Sequence, residues 1–129
     1  MVTKAPIRKK TELGPAGLRG FFRVVQQWKL STEEQIKLLN VPPSTFHGWK
    51  ASPDNARLSH DTLERISYIL GIYKNLHILL SNKQSADGWI HLPNKAALFG
   101  GSPAIDRMTS GNVGDLFVVR GYLDSQVRG

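Results

Sequence analysis

The stretch from Leu92 to Asp124, LPNKAALFGGSPAIDRMTSGNVGDLFVVRGYLD, is punctuated so heavily that only short helices followed by one long one fit into it. Pro93 and Asn94 can open a helix through Ala96 and Ala97. Gly100-Gly101 then closes it, because glycine alone accepts positive φ cheaply. Ser102 is placed to cap a second piece, with Pro103 at its first position and Ala104 to Met108 as its turns. Gly111 stops that piece and Asn112 can cap the next. From Val113 onward, Leu116, Phe117, Arg120, Leu123 and Val127 fall at the three-and-four spacing of one helix face.

The upstream half carries its own start and stop signals. Pro15 opens a first helix whose inner face is Leu18, Phe21, Phe22, Val25 and Trp28, with Arg19, Arg23 and Gln27 outside. Ser31-Thr32-Glu33-Glu34 is a capping box, and the short helix behind it points Ile36 and Leu39 inward. Asn40 can take the left-handed conformation that ends this helix, and Val41 turns toward the core. Pro42-Pro43 sets up a third short helix, Ser44 to Lys50, anchored by Phe46 and Trp49. Short helix, tight turn and anchored short helix together make the pattern of a helix-turn-helix. On that reading Ser44, Thr45 and His47 reach base edges, Gly48 lets backbone come close, and Lys50 and Arg57 meet phosphates. The same pattern also occurs in helical bundles that only pack and dimerise.

Ala51 to Arg57 reads as a loop. Ser59 begins a helix with Leu63, Ile66, Ile69, Leu70 and Tyr73 on a wide apolar face, and Leu76, Leu79 and Leu80 continue the pattern past Gly71. A bend, or two helices meeting, is expected at Gly71, and the domain boundary is placed there. Ser81 to Gly88 is a loop or a brief helix, after which Trp89 and Ile90 help close a second core. No β alternation persists, so the fold class is all-α: an N-terminal helix-turn-helix bundle followed by a small helical domain. The expected divisions are 1–14, 15–70 and 71–129.

Charge is unevenly spread. The net charge is +7, of which residues 1–80 carry +6 and residues 81–129 carry +1. A basic front half suits a polyanion, and it equally suits a solvated surface. Residues 1–14, with Lys4, Arg8, Lys9 and Lys10, read as a mobile basic tail, either a solvated leader or an arm for a DNA minor groove. They lack the apolar segment of a secretory signal, and no run of about eighteen apolar residues is present to span a membrane. The absence of cysteine fits a reducing cytoplasm.

Catalysis finds no convergent groups. His47, His60, His77 and His91 include no pair at ligand spacing and have no cysteine to join them, so no metal site is expected. Asp106, Asp115 and Asp124 lie nine apart, on separate helices or on opposite sides of one. Gly100-Gly101-Ser102 lacks the strand and lysine of a phosphate loop. The chain is read as non-enzymatic, without cofactor.

Trp89, Leu92-Pro93-Asn94, Leu98-Phe99-Gly100-Gly101, Pro103, Asp106, Met108, Gly111, Asp115-Leu116, Val119-Arg120 and Tyr122-Leu123-Asp124 form an ordered string over about forty positions. The string resembles the C-terminal toxin-binding domain of the Xre/MbcA/ParS antitoxins, and residues 15–70 look like their Xre-like helix-turn-helix domain. The resemblance implies a cognate RES-domain toxin that consumes NAD, neutralised by covering its active site. It also implies operator DNA as a second partner, in a homodimer or a larger toxin–antitoxin assembly. Arg107, Arg120, Tyr122, Asp124, Gln126, Arg128 and Gly129 are the expected toxin contacts. The carboxylate of Asp124 or Gly129 would occupy the anion site of the toxin's cleft, and Arg120 and Arg128 would pair with its carboxylates. The plainer alternative is that Leu123 and Val127 merely finish the core. The runner-up function is a plain helix-turn-helix repressor whose second domain oligomerises or senses a ligand, and a third class is an interaction protein without a DNA role.

Overall fold

The computed structural model describes residues 10–129, with side chains from Leu13 onward. Among these residues are seven α-helices and no strand: α1 (Lys10–Gln27), α2 (Thr32–Leu39), α3 (Pro43–Ala51), α4 (His60–Leu79), α5 (Lys83–Gly88), α6 (Ala104–Met108) and α7 (Val113–Arg128). Single 3-10 turns at Pro53–Asn55 and Trp89–His91 complete the path. The all-α expectation is met, with a helix-turn-helix at the front. The expected basic tail falls partly on residues 1–9, outside the described residues, and partly on 10–14, which are helical.

Pro15 does not open α1 but lies inside it. A proline near a helix start forfeits only one i→i−4 bond. Gly14 and Pro15 are themselves buried, Gly14 against Leu58, so packing fixes this turn. Gly17 and Gly20 continue the same side of α1 and lie against Ile66 and Leu70 of α4. The adjoining ridge, Leu18, Phe21, Val25 and Trp28, is fully buried.

The local signals of α2 appear where the sequence has them. The Ser31 hydroxyl accepts from the Glu34 amide at 3.1 Å, and the Glu34 carboxylate accepts from the Ser31 amide at 2.8 Å. Asn40 ends the helix at φ 53. The inward pair is Leu38 and Leu39, with Ile36 only half-buried.

Helix α4 departs from expectation. It runs unbroken from His60 to Leu79, straight through Gly71 and therefore through the boundary placed at 70/71. Ser59 caps it by accepting from Thr62. Ile66, Ile69, Ile72 and Leu76 form its buried row, and α1 packs on one side and α7 on the other. Tyr68 meets Phe117, Gly71 meets Arg120 and Asn75 meets Asp124, so α4 and α7 run parallel. Gly71 does not divide the helix. A Cβ there would stand 2.5 Å from the Arg120 guanidinium, which lies across the bare backbone and donates to the Ser67 carbonyl at 3.2 Å.

Three further local expectations are corrected. Pro93-Asn94 starts no helix, because the Asn94 side chain accepts from the Ala96 amide and turns the chain instead. The loop then closes on itself: Gly101 N–H donates to the Asn94 carbonyl at 2.8 Å, and Pro93 bridges Pro103. Gly100 and Gly101 both have positive φ, and Pro103 is the residue before α6 rather than its first, with no cap from Ser102. On α7 the buried positions are Leu116, Val119 and Leu123, while Phe117 and Val127 are exposed. Asn112 caps α7 as expected, accepting from Gly114.

Replacing Gly71 by alanine should displace the Arg120 side chain. The gain of about 0.5–1 kcal/mol in helix propensity should therefore be muted in the native background and recovered in an Arg120→Ala background. Thermal unfolding of the four members of this cycle measures the difference, and equal effects in both backgrounds would contradict the contact.

Candidate functional site

Helix α3 is held from beneath and open above. Phe46 is fully buried with its ring against Phe22, and Trp49 is half-buried against the same core. Ser44, His47, Gly48 and Lys50 are exposed on the other side, with Thr45 half-buried at the edge. The His47 ring lies edge-on to Phe46, and a side chain at Gly48 would meet nothing within 4 Å. Pro42 offers no side-chain cap, Pro43 occupies the first position, and both are exposed at the start of α3. The five candidate DNA-contacting residues of α3 thus share its outer surface. Arg57 is exposed in the stretch before α4, next to the buried Ala56.

The seven residues expected to contact a partner are not brought together as one surface. Arg107 is turned inward, donating from Nε to Asp115 at 2.8 Å and from Nη1 to the Leu98 carbonyl at 2.8 Å. Arg120 covers Gly71 and lies 3.7 Å from Asp124, whose other oxygen accepts from Asn75 at 2.7 Å. Tyr122 stacks on Trp89 and meets Phe99 edge-on. Gln126, Arg128 and Gly129 are exposed at the end of α7. Arg107, Arg120 and Asp124 therefore brace the second half, and the open positions lie at the helix end.

Sequence reasoning missed the surface around them. Phe117 is 59% exposed in the first half of α7, and Ile78 (56%), Leu79 and Val127 are exposed at the far end of the α4–α7 pair. A small cleft of about 250 Å³ between these helices is lined by Leu79, Leu80, Trp89, Tyr122 and Gln126. Arg65 was also missed. It is 5% exposed, bonded to Asp61 at 2.7 Å and to the Gly111 carbonyl at 3.0 Å. Its position inside the apolar row of α4, three after Thr62 and four before Ile69, was the available signal.

His77 and Asp87 are 2.8 Å apart, with Lys83 also on Asp87. Burial pushes the Asp87 carboxyl upward, but hydrogen bonds from Lys83 and His77 outweigh it and leave the pKa below the ordinary value. His91 bonds the Trp28 carbonyl, and His47 and His60 are exposed. Among the described residues no group of three or more His, Asp or Glu is gathered as a metal would require, and no helix is long and apolar enough to cross a membrane.

Asp115 sits where the loop enters α7. The Ser110 hydroxyl at 2.6 Å holds its pKa below the ordinary carboxylate value, burial opposes this, and Arg107 reinforces it. A depressed folded-state pKa contributes stability that is present above the unfolded value of about 3.8 and is lost as pH falls through the folded one. Asp115→Asn should therefore be less stable at neutral pH and show a flatter loss below about pH 4. Thermal unfolding across pH 2–7 checks this, and parallel curves for the two proteins would contradict it.

Residues 9–71 match the family model described as the antitoxin Xre-like helix-turn-helix domain. The chain is also 47% identical to the uncharacterized protein y4oB of Sinorhizobium fredii (strain NBRC 101917 / NGR234) over 113 residues, which are 87% of this chain and 84% of the relative. The match spans α1 to the middle of α4, the part that presents α3, and the likeness to y4oB extends over most of the chain. This protein belongs to the same family as y4oB, and its residues 9–71 form an antitoxin Xre-like helix-turn-helix domain.

Proposed function

We propose that the protein is the antitoxin of a type II toxin–antitoxin system. In this reading it neutralises a RES-type, NAD-consuming toxin by covering the active site, and it represses its own operon by binding operator DNA. The observation that carries the reading is the outer surface of α3, with Ser44, His47, Gly48 and Lys50 exposed over the anchors Phe46 and Trp49, inside a domain that matches an antitoxin family. A short helix so presented suits a major groove, where Ser44, Thr45 and His47 read bases and Lys50 and Arg57 hold phosphates.

The second half supplies the toxin-facing surface. Phe117, Val127, Ile78 and Leu79 are apolar side chains left open on α4 and α7, and Gln126, Arg128 and Gly129 continue that surface. Several large apolar side chains exposed on one helix pair favour a protein partner. Arg107, Arg120 and Asp124 act by holding α7 in place beneath it. A homodimer would present two copies of α3 to a two-fold operator, and the site of action is the cytoplasm.

The test is co-expression with a RES-domain toxin, together with duplex binding by the purified protein. The native chain restores growth. Lys50→Ala weakens binding to all duplexes and lowers the salt slope by about one unit, whereas His47→Ala or Thr45→Val changes the ranking of duplexes. None of these alters rescue, while Phe117→Glu abolishes rescue and leaves DNA binding intact. Absence of rescue by the native chain, or loss of both activities together in each variant, would refute the division of labour.

A further inference from the structure

Beside α3 lies a cleft of about 710 Å³ whose charge the reading above does not use. Its floor is apolar, from Phe22, Val25 and Leu30, and its walls carry Arg19, Arg23, Lys29 and Lys50. No carboxylate is among its described lining residues. Arg19 is paired with Asp54, so its charge is partly met. Arg23, Lys29 and Lys50 have no carboxylate partner among the described residues.

Lys29 is the residue out of place. The end of α1 is closed by bonds from Leu30 N–H to the Val25 carbonyl and from Lys29 N–H to the Gln26 carbonyl, both 3.0 Å. That pair of bonds requires a left-handed residue between them, usually glycine or sometimes asparagine. Asn40 fills such a place at the end of α2, but here a lysine does so at φ 57. The buried Gln35 donates to the Leu30 carbonyl from within, fixing the turn. The lysine at this left-handed position sets its ammonium group at the wall of the cleft.

Lys50 belongs to both surfaces. It lies on the flank of α3 next to Phe46, whose ring meets Phe22 of α1, so the cations of α1 line up along one side of α3. A helix in a major groove has a sugar–phosphate strand along each flank. We propose that this cleft takes one of those strands, with Arg23 and Lys29 joining Lys50 as phosphate contacts that carry affinity but not sequence preference. The proposal rests on the DNA reading of α3 and adds α1, together with the α1–α2 turn, to the interface.

Lys29→Gly removes the charge while keeping the turn, and Arg23→Gln removes the other. Binding of each variant to a duplex from the region upstream of its own gene is measured by fluorescence anisotropy between about 50 and 200 mM salt. Each substitution should lower the slope of log affinity against log salt by about one unit, without changing the ranking of duplexes. Lys29→Gly should melt no lower than the native protein. Slopes equal to the native one for both variants, while Lys50→Ala loses its unit, would overturn the cleft but leave the reading of α3 standing. No duplex binding by the native protein would overturn both. Adenosine triphosphate binding that is lost in both variants, with duplex slopes unchanged, would assign the cleft to a free phosphorylated ligand and overturn the strand.

Discussion

The structure depends on α4 being buried along two sides at once. Ile66, Ile69, Ile72 and Leu76 are almost wholly removed from water, each such side chain contributing about 1.5–3 kcal/mol. Neither α1 nor α7 could bury its own apolar side without that row. Placing α7 parallel to α4 sets like helix ends side by side, an arrangement the helix dipoles oppose. The chain answers with Asp61 and Asp115 in the first turns and with His77 and Arg128 in the last. The close approach in the middle is made by what Gly71 lacks, since any side chain there would take the place of the Arg120 guanidinium.

The two functional halves are therefore one packed body rather than beads on a linker. Arg65 rises from α4, is buried, and donates to the carbonyl of Gly111 just before α7. The Asn40 side chain, at the turn of the helix-turn-helix, lies 3.9 Å from where a Cβ of Gly111 would be. Separating the halves would strip a partner from a buried guanidinium, which is among the costlier events in a small protein. Helices α3 and α7 thus share a common frame, with the Gly111 loop between them.

Much of this was legible because capping is local chemistry. Ser31 with Glu34, Asn40, Ser59 and Asn112 each act through atoms two to four residues away, and each appears where the sequence has it. The inner ridge of α1 was legible for a similar reason, since aromatic residues at helical spacing have few other uses. That no helix ends at Gly71 was not legible, because the group filling the space its missing side chain leaves is Arg120, forty-nine positions on. Pro93-Asn94 was misread because its turn is closed by Gly101 and Ser102 across the loop. The inner face of α7 slipped from Phe117 and Val127 to Val119, because the direction of a helix's buried face is set by what it packs on.

The same physics sets how the charged residues of the second half are engaged. An arginine four before an aspartate on one helix, as with Arg120 and Asp124, already has a companion, and desolvating the pair against a stranger would forfeit that contact. Arg107 is held from two directions, by Asp115 and by the Leu98 carbonyl. Groups so committed orient a surface without forming it. The apolar groups left exposed on this side are Phe117, propped edge-on by Tyr68, and Ile78, Leu79 and Val127 at the far end of the same helix pair, next to the exposed Gln126 and Arg128. On the α3 side the balance reverses. There the apolar residues are the anchors and the unpaired cations face outward, so one packed body presents two surfaces of opposite chemistry.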